Sequence, residues 1–284
     1  MFKNLNPAAI GVSGHQSEII ELALTFGFAG LDLNIAEFAI AVRLKGFDYA
    51  NRLISSAKLR IGTFPLPIEW DADDATFKKE LKKLAEYATC AAKLGCLRCT
   101  TVVAAANDKL PYHENFEFHR QRFSEICSVL QPSGVRLAVG FQGAEYLQRN
   151  KAFQFIHDFD ALSLLVNMVA SPNIGLLVDT WDIVAGGGSV ESVQKLPPGQ
   201  IVAVHVADMP AGVAMADLDD KSRLLPGGEN GQIDVAAFLS AARALGYDGP
   251  VTAKPSRGIF QSRRRDIVIK QTAEALNKVL QAAG

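Results

Sequence analysis

The sequence predicts an α/β fold, a (β/α)8 TIM barrel, in one domain over residues 1–284, and three observations carry that expectation. Short apolar runs alternate with amphipathic stretches about eight times along the chain, the order expected of parallel strands joined by helices. The length of 284 residues lies near the roughly 250 typical of one such barrel. A doubly wound sheet is the competing architecture, but Gly11, Gly14 and His15 do not supply a GxGxxG turn after a first strand.

Ala9–Val12 is read as the first strand and Glu18–Thr25 as the first helix, with Ser17 as its cap; Gly27-Phe-Ala-Gly30 turns the chain into Leu31–Leu33. A helix near Asp48–Ala57 leads to a strand at Ile61–Phe64, which Pro65 and Pro67 end in a loop carrying Glu69 and Trp70. Phe77, Leu81, Leu84, Ala85, Ala88 and Ala92 recur at helical spacing over Thr76–Leu94. Strands follow at Cys96–Val103 and Arg136–Gly140, with a helix at Phe116–Leu130 between them, and a helix at Ala161–Ala170 comes next. Ile174–Val178 and Ile201–Val206 are short apolar runs of buried-strand type. Met209–Asn230 reads as a long irregular insertion, of a length usually tied to function. A helix around Val235–Leu245, a strand at Val251–Lys254 and a helix at Asp266–Gln281 complete the pattern.

Lys plus Arg number 29 against 30 for Asp plus Glu, so there is no overall basic excess and nucleic acid is not an expected partner. Arg263-Arg264-Arg265 reads as a solvated helix entrance, and no apolar run approaches the roughly 18 residues that would span a bilayer. With no membrane segment or leader evident, the expected location is the cytoplasm. Cys96 and Cys99 match CxxC, but no second pair completes a zinc site, and they read as structural. His15, His113, His119 and His157 read as surface or capping groups, and Gly186-Gly187-Gly188 as a turn.

The organising stretch is Gly175–Gly188, where an apolar run ends in Asp179 and then breaks into glycine. Strand tips in parallel α/β proteins present side chains to ligands, so Asp179 is read as a site residue before a helix cap, since Thr180-Trp181-Asp182 does not look like a helix onset. His205 sits near the end of its strand.

Leu177–Trp181, Val204–Asp208, Arg223–Glu229 with Ile233-Asp234, and Gly246–Val251 together resemble the sugar isomerase and epimerase group of xylose isomerase-like TIM barrels. That resemblance implies a divalent metal at the barrel mouth, manganese, magnesium, cobalt or zinc, held by Glu, Asp, His and Glu after strands five to eight. It also implies a proton shuttle between the two glutamates, acting on small carbohydrates or sugar phosphates. Asp179 and His205 match the Asp and His, whereas Gly140, with Gln142 nearby, and Lys254 stand where the glutamates belong.

An ammonium has no lone pair to give a metal, so no resident metal is expected and only two ligand positions are retained. The expectation is that Lys254 takes the metal's place and ion-pairs with Asp179, with Asp182 as a further partner; Glu145 or Glu229 is the alternative source of a missing acid. Asp179, Asp182, His205 and Lys254 are thus the candidate catalytic residues, and Arg223, Trp181, Gln142 and Glu69 the candidate substrate contacts. Such a site suits either a carbohydrate isomerase or epimerase with altered chemistry or a carbohydrate- or anion-binding pseudoenzyme. A Schiff-base role for Lys254 is disfavoured because neighbouring carboxylates favour the charged amine. Self-association into a homo-oligomer is left open.

Overall fold

The computed structural model describes residues 1–284, the Asp220 side chain apart. The strands are β1 Phe2–Leu5, β2 Gly30–Leu31, β3 Arg60–Ile61, β4 Phe64–Pro65, β5 Arg98–Val103, β6 Ala106–Asn107, β7 Arg136–Phe141, β8 Phe153–Gln154, β9 Ile174–Asp179, β10 Ile201–Val206 and β11 Pro250–Ala253. The α-helices are α1 Gln16–Thr25, α2 Ile35–Lys45, α3 Phe47–Ala57, α4 Asp74–Lys93, α5 Tyr112–Leu130, α6 Phe159–Val169, α7 Thr180–Ala185, α8 Val190–Gln194, α9 Val235–Ala244 and α10 Arg265–Ala282.

Among the described residues, nine strands form one sheet in the order β3-β2-β1-β11-β10-β9-β7-β5-β4, all pairs parallel, and β6 and β8 form a separate antiparallel pair. The two ends of that order, β3 and β4, are consecutive in the chain and separated only by Gly62 and Thr63. They are two halves of one interrupted barrel strand, so eight strand positions close a cylinder, as the alternating pattern predicts. The break releases the Thr63 amide from the ladder, and it donates instead to the Asp32 carboxylate at 2.7 Å.

The helices form where the sequence offers an apolar stripe and a cap. Asp73, Asp158 and Asp234 accept amides of the first turns of α4, α6 and α9. Phe77, Leu81, Leu84 and Ala88 of α4 are buried, the face that their spacing predicts.

Three expectations need correction, and one helix stands where none is expected. The first strand is Phe2–Leu5, not Ala9–Val12, which is turn: Pro7 lacks an amide donor and Gly11 has φ +70°. Two of the four residues of β1 are polar, so its apolar signal is weak: Lys3 reaches out to the Phe26 carbonyl and Asn277, and Asn4 points inward. α2 went unread; Asn34 accepts from the Glu37 amide to start it. At α1 the residue before the first turn is His15, whose amide donates to Glu18, so Ser17 lies inside the helix. Finally, Thr180–Ala185 is a helix, and Asp179 caps it by accepting from the Trp181 and Asp182 amides at 3.1 and 3.2 Å.

Candidate functional site

The C-terminal strand ends bring a row of polar side chains together inside the barrel. Asn4 of β1 pairs in register with Thr252 of β11, Thr252 with His205 of β10, and His205 with Asp179 of β9. Register partners on parallel strands point to the same face, so these four line one level of the interior. Asn4 donates from Nδ2 to both Thr252 Oγ1 at 2.9 Å and Asp32 Oδ1 at 2.7 Å, while Asn6 Nδ2 donates to Asp32 Oδ2 at 2.9 Å. Asn4 Oδ1 and His205 Nδ1 are buried without a hydrogen-bond partner.

Above this row, the insertion after β10 carries Arg223 over the mouth. Its Nη2 donates to both oxygens of Asp179 at 2.6 and 2.5 Å, its Nη1 to Asp182 Oδ2 at 3.2 Å, and its Nε to the Lys254 carbonyl at 3.2 Å. The guanidinium lies 4.7 Å from the Trp181 ring centroid. Such a planar fork matches two carboxylates in a way an ammonium cannot. The Gly143 amide donates to Asp182 Oδ1 at 3.1 Å, and a Cβ at Gly143 would meet the Asp182 carbonyl at 2.0 Å, so only glycine allows this approach.

The expected Lys254–Asp179 ion pair is therefore corrected: the cation in contact with Asp179 is Arg223. Lys254 is half-buried and makes no ion pair within 4.0 Å among the described residues, acting on both aspartates through its field. Trp181 does not wall a pocket; it is buried behind the guanidinium, its Nε1 donating to the Ser222 carbonyl at 3.3 Å. Gln142 is half-buried at the end of β7. Glu69 is exposed, where its charge acts on Lys83. Neither alternative acid joins the cluster: Glu145 is exposed and lies 3.6 Å from Arg149, and Glu229 is exposed on the insertion.

The two aspartates are driven apart electrostatically. Burial would raise the Asp179 pKa, but the charges of Arg223 and then Lys254 outweigh it and hold the carboxyl below its usual range. Asp182 is raised, by burial first and then by the Asp179 charge, with Arg223 opposing. His205 is pushed down to about 3, by burial and then by Lys254, and is neutral beside Asp179, its Nδ1 3.9 Å from Oδ2. Asp32, which sequence reasoning passed over, is raised to about 6 by burial, against its hydrogen bonds from Asn4 and Thr63. The available signal was a carboxylate immediately after the short β2 run.

His119 is another correction, since it is buried in α5 and not on the surface. Its Nδ1 donates to the Asn115 carbonyl at 2.7 Å, and its ring lies 4.7 to 5.7 Å from those of Phe155, Trp70 and Phe123. Burial lowers its pKa to about 4. The native state therefore binds fewer protons at His119 than the unfolded chain between about pH 4 and 6.5, and stability falls as the pH drops through that window. His119→Phe is expected to reduce the stability lost between pH 7 and pH 5 by about 2 kcal/mol, read from urea unfolding of both proteins at both pH values; an unchanged loss refutes the neutral-histidine assignment.

A family model described as a xylose isomerase-like TIM barrel matches residues 20–282. The chain belongs to the xylose isomerase-like TIM barrels. An inosose isomerase of Bacillus velezensis is 27% identical over 204 residues, which cover 71% of this chain and 67% of that protein. Matches to further curated inosose isomerases, from Bacillus subtilis and Bacillus licheniformis, span about half of those proteins. A xylose isomerase domain protein from Alicyclobacillus acidocaldarius superposes with a TM-score of 0.89 at 24% identity, covering 100% of this chain and 99% of its own. IolI, crystallised with a bound zinc atom, superposes with a TM-score of 0.82 at 19% identity, covering 100% and 99%. Among the described residues, no three His, Cys, Asp or Glu side chains are grouped to hold a metal, and all four cysteines are free and buried. No helix there is long and apolar enough to cross a membrane.

Proposed function

We propose that this barrel mouth binds a small keto-polyol of the inosose type and moves a proton on the carbon beside its carbonyl, without a resident divalent ion. The observation that carries the reading is the contact of Arg223 Nη2 with both carboxylate oxygens of Asp179, the residue matching the family's metal-binding Asp. With both Asp179 oxygens engaged by a cation, Gly140 bare of donors and an ammonium on Lys254, the donor set does not fit a divalent ion. The reading also draws on the similarity to an inosose isomerase.

Two carboxylates whose environments push their pKa values apart are the usual source of an acid–base assignment. Asp182, the raised one, is assigned the proton transfer, and Asp179, the lowered one, holds Arg223 in place. Asp182 takes the proton of the carbon next to the carbonyl; the C–H electron pair becomes a C=C bond and the carbonyl π pair moves to oxygen. Lys254 and Arg223 stabilise that oxygen; the proton of the adjacent hydroxyl passes to it, and Asp182 returns its own proton to the former carbonyl carbon on the same face, which leaves the carbonyl on the neighbouring carbon and completes isomerisation. Asn4 Oδ1 and His205 Nδ1, buried and unpaired, favour a hydroxyl-rich ligand over an apolar one.

The second reading is a carbohydrate-binding protein without turnover, favoured by the burial of both aspartates beneath Arg223. Incubating the protein with an inosose in D2O and following the proton spectrum separates the two. Deuterium appearing beside the carbonyl, and lost in Asp182→Asn, is the expected result; saturable binding without exchange establishes the pseudoenzyme. In parallel, calorimetric titration with manganese, magnesium, cobalt and zinc is expected to show no tight site in the wild type and a gain in Lys254→Glu. A stoichiometric metal in the wild type overturns the metal-free reading.

A further inference from the structure

The opposite end of the barrel carries a charge cluster that neither the fold nor the proposed reaction uses. Arg98 and Arg136 are the first residues of β5 and β7 and are register partners, so both side chains leave the same face of the sheet. Their neighbours Cys99 and Leu137 face the outer core beneath the helices, which directs the arginines into the barrel floor. A cavity of about 250 Å³ opens there, between the turns at Gly95, Gly134, Gly199 and Gly246 that precede the strands. Gly175 leaves room for the cluster: a Cβ there would lie 3.2 Å from Arg136 Nη2 and 2.3 Å from the Gln200 carbonyl.

The two guanidinium groups are poorly neutralised. Asp248 approaches Arg98 only to 3.9 Å and its side chain is 91% exposed, so water screens the pair. Arg136 has no ion pair among the described residues and spends one N–H on the Gly199 carbonyl at 2.8 Å. Burial and then the charge of Arg98 lower the Arg136 pKa, the mark of a cation held next to a cation. Two planar guanidinium forks, one carboxylate at the rim and a cavity of this size describe a receptor for a compact oxyanion.

We propose that the barrel floor is an anion site, in which Arg98 and Arg136 together bind a phosphate-sized oxyanion, either free phosphate or the phosphate group of a small ester. The site is separate from the mouth and does not depend on what the mouth does.

The test is calorimetric titration of the full chain at low ionic strength with inorganic phosphate and, separately, with glycerol 3-phosphate. Saturable one-site binding is expected. Arg98→Gln and Arg136→Gln are each expected to weaken it about tenfold, the loss of one charge-assisted contact. Asp248→Asn is expected to tighten it about two- to threefold, by removing a screened competitor. Lys254→Gln, at the other end of the barrel, is expected to leave it unchanged. An ester that binds as tightly as phosphate or more tightly assigns a phosphorylated metabolite; an ester that is excluded while phosphate binds assigns the free anion. No saturable heat in the wild type, unchanged affinity in both arginine variants, or weakening by Lys254→Gln overturns the proposal. Asp248 is on the surface, so Asp248→Asn keeps the test decisive even if an arginine variant fails to fold.

Discussion

Arg223→Ala is expected to cost roughly 3 to 5 kcal/mol at pH 7, more than any other single change at the barrel mouth. The argument is the asymmetry of buried ion pairs: the intact set gains little, because desolvation offsets attraction, but removing the cation leaves Asp179 and Asp182 buried against one another. Without Arg223, burial dominates at Asp179 as it already does at Asp182, and the carboxyls take up a proton on folding. The native variant then binds more protons than its unfolded chain around and above pH 4, so its stability rises as the pH falls. The wild type, with a lowered Asp179, has the opposite slope from this group. Urea unfolding at pH 7 and pH 5 reads both effects. A loss below about 1 kcal/mol, the scale of a surface pair, sinks the assignment of Arg223 as the counter-ion.

Asp208→Ala is expected to cost about 3 kcal/mol and to loosen the insertion that delivers Arg223. Asp208 is buried just beyond β10, and its carboxyl accepts the amides of Met209 and Ile233 at 2.8 Å and Gly227 at 3.2 Å. It thereby fastens the start, the far end and one interior turn of the excursion with a single side chain. Removing it leaves three amides to find other acceptors, and buried amides rarely go unpaired without cost. Limited proteolysis is expected to cut between residues 209 and 233 faster in Asp208→Ala than in Arg223→Ala. Equal resistance in wild type and Asp208→Ala would show that the loop is held by something else.

The barrel was legible because its longer strands are apolar runs and its helices carry stripes at a clear period. β9 and β10 were read within one residue for this reason. β1 was not, since a four-residue strand with an outward lysine and an inward asparagine lacks either signature. In the candidate site, Asp179 and His205 were visible as polar residues at the ends of apolar runs, a local property. The identity of the cation on Asp179 was not visible. Arg223 and Lys254 are both basic and both near in the fold, and what separates them is the path of residues 209–233, fixed by Asp208 and not by any periodicity. The Asp32–Asn4 network escaped for a related reason: it joins strands whose pairing a linear reading cannot see.

The pairing of β1 with β11 matches Phe2, Lys3 and Asn4 to Pro250, Val251 and Thr252. Contacts so distant in sequence form slowly, because the loop they close is almost the whole chain. The polar row from Asn4 through Thr252 to His205 and Asp179 crosses that seam. During synthesis, Asp179 and His205 are made long before Thr252 emerges from the ribosome, so the mouth comes into being as one of the final events of folding. A chain halted before β11 has an open sheet with Asn4 of β1 and His205 of β10 on its two bare edges, a natural target for the cell's quality control.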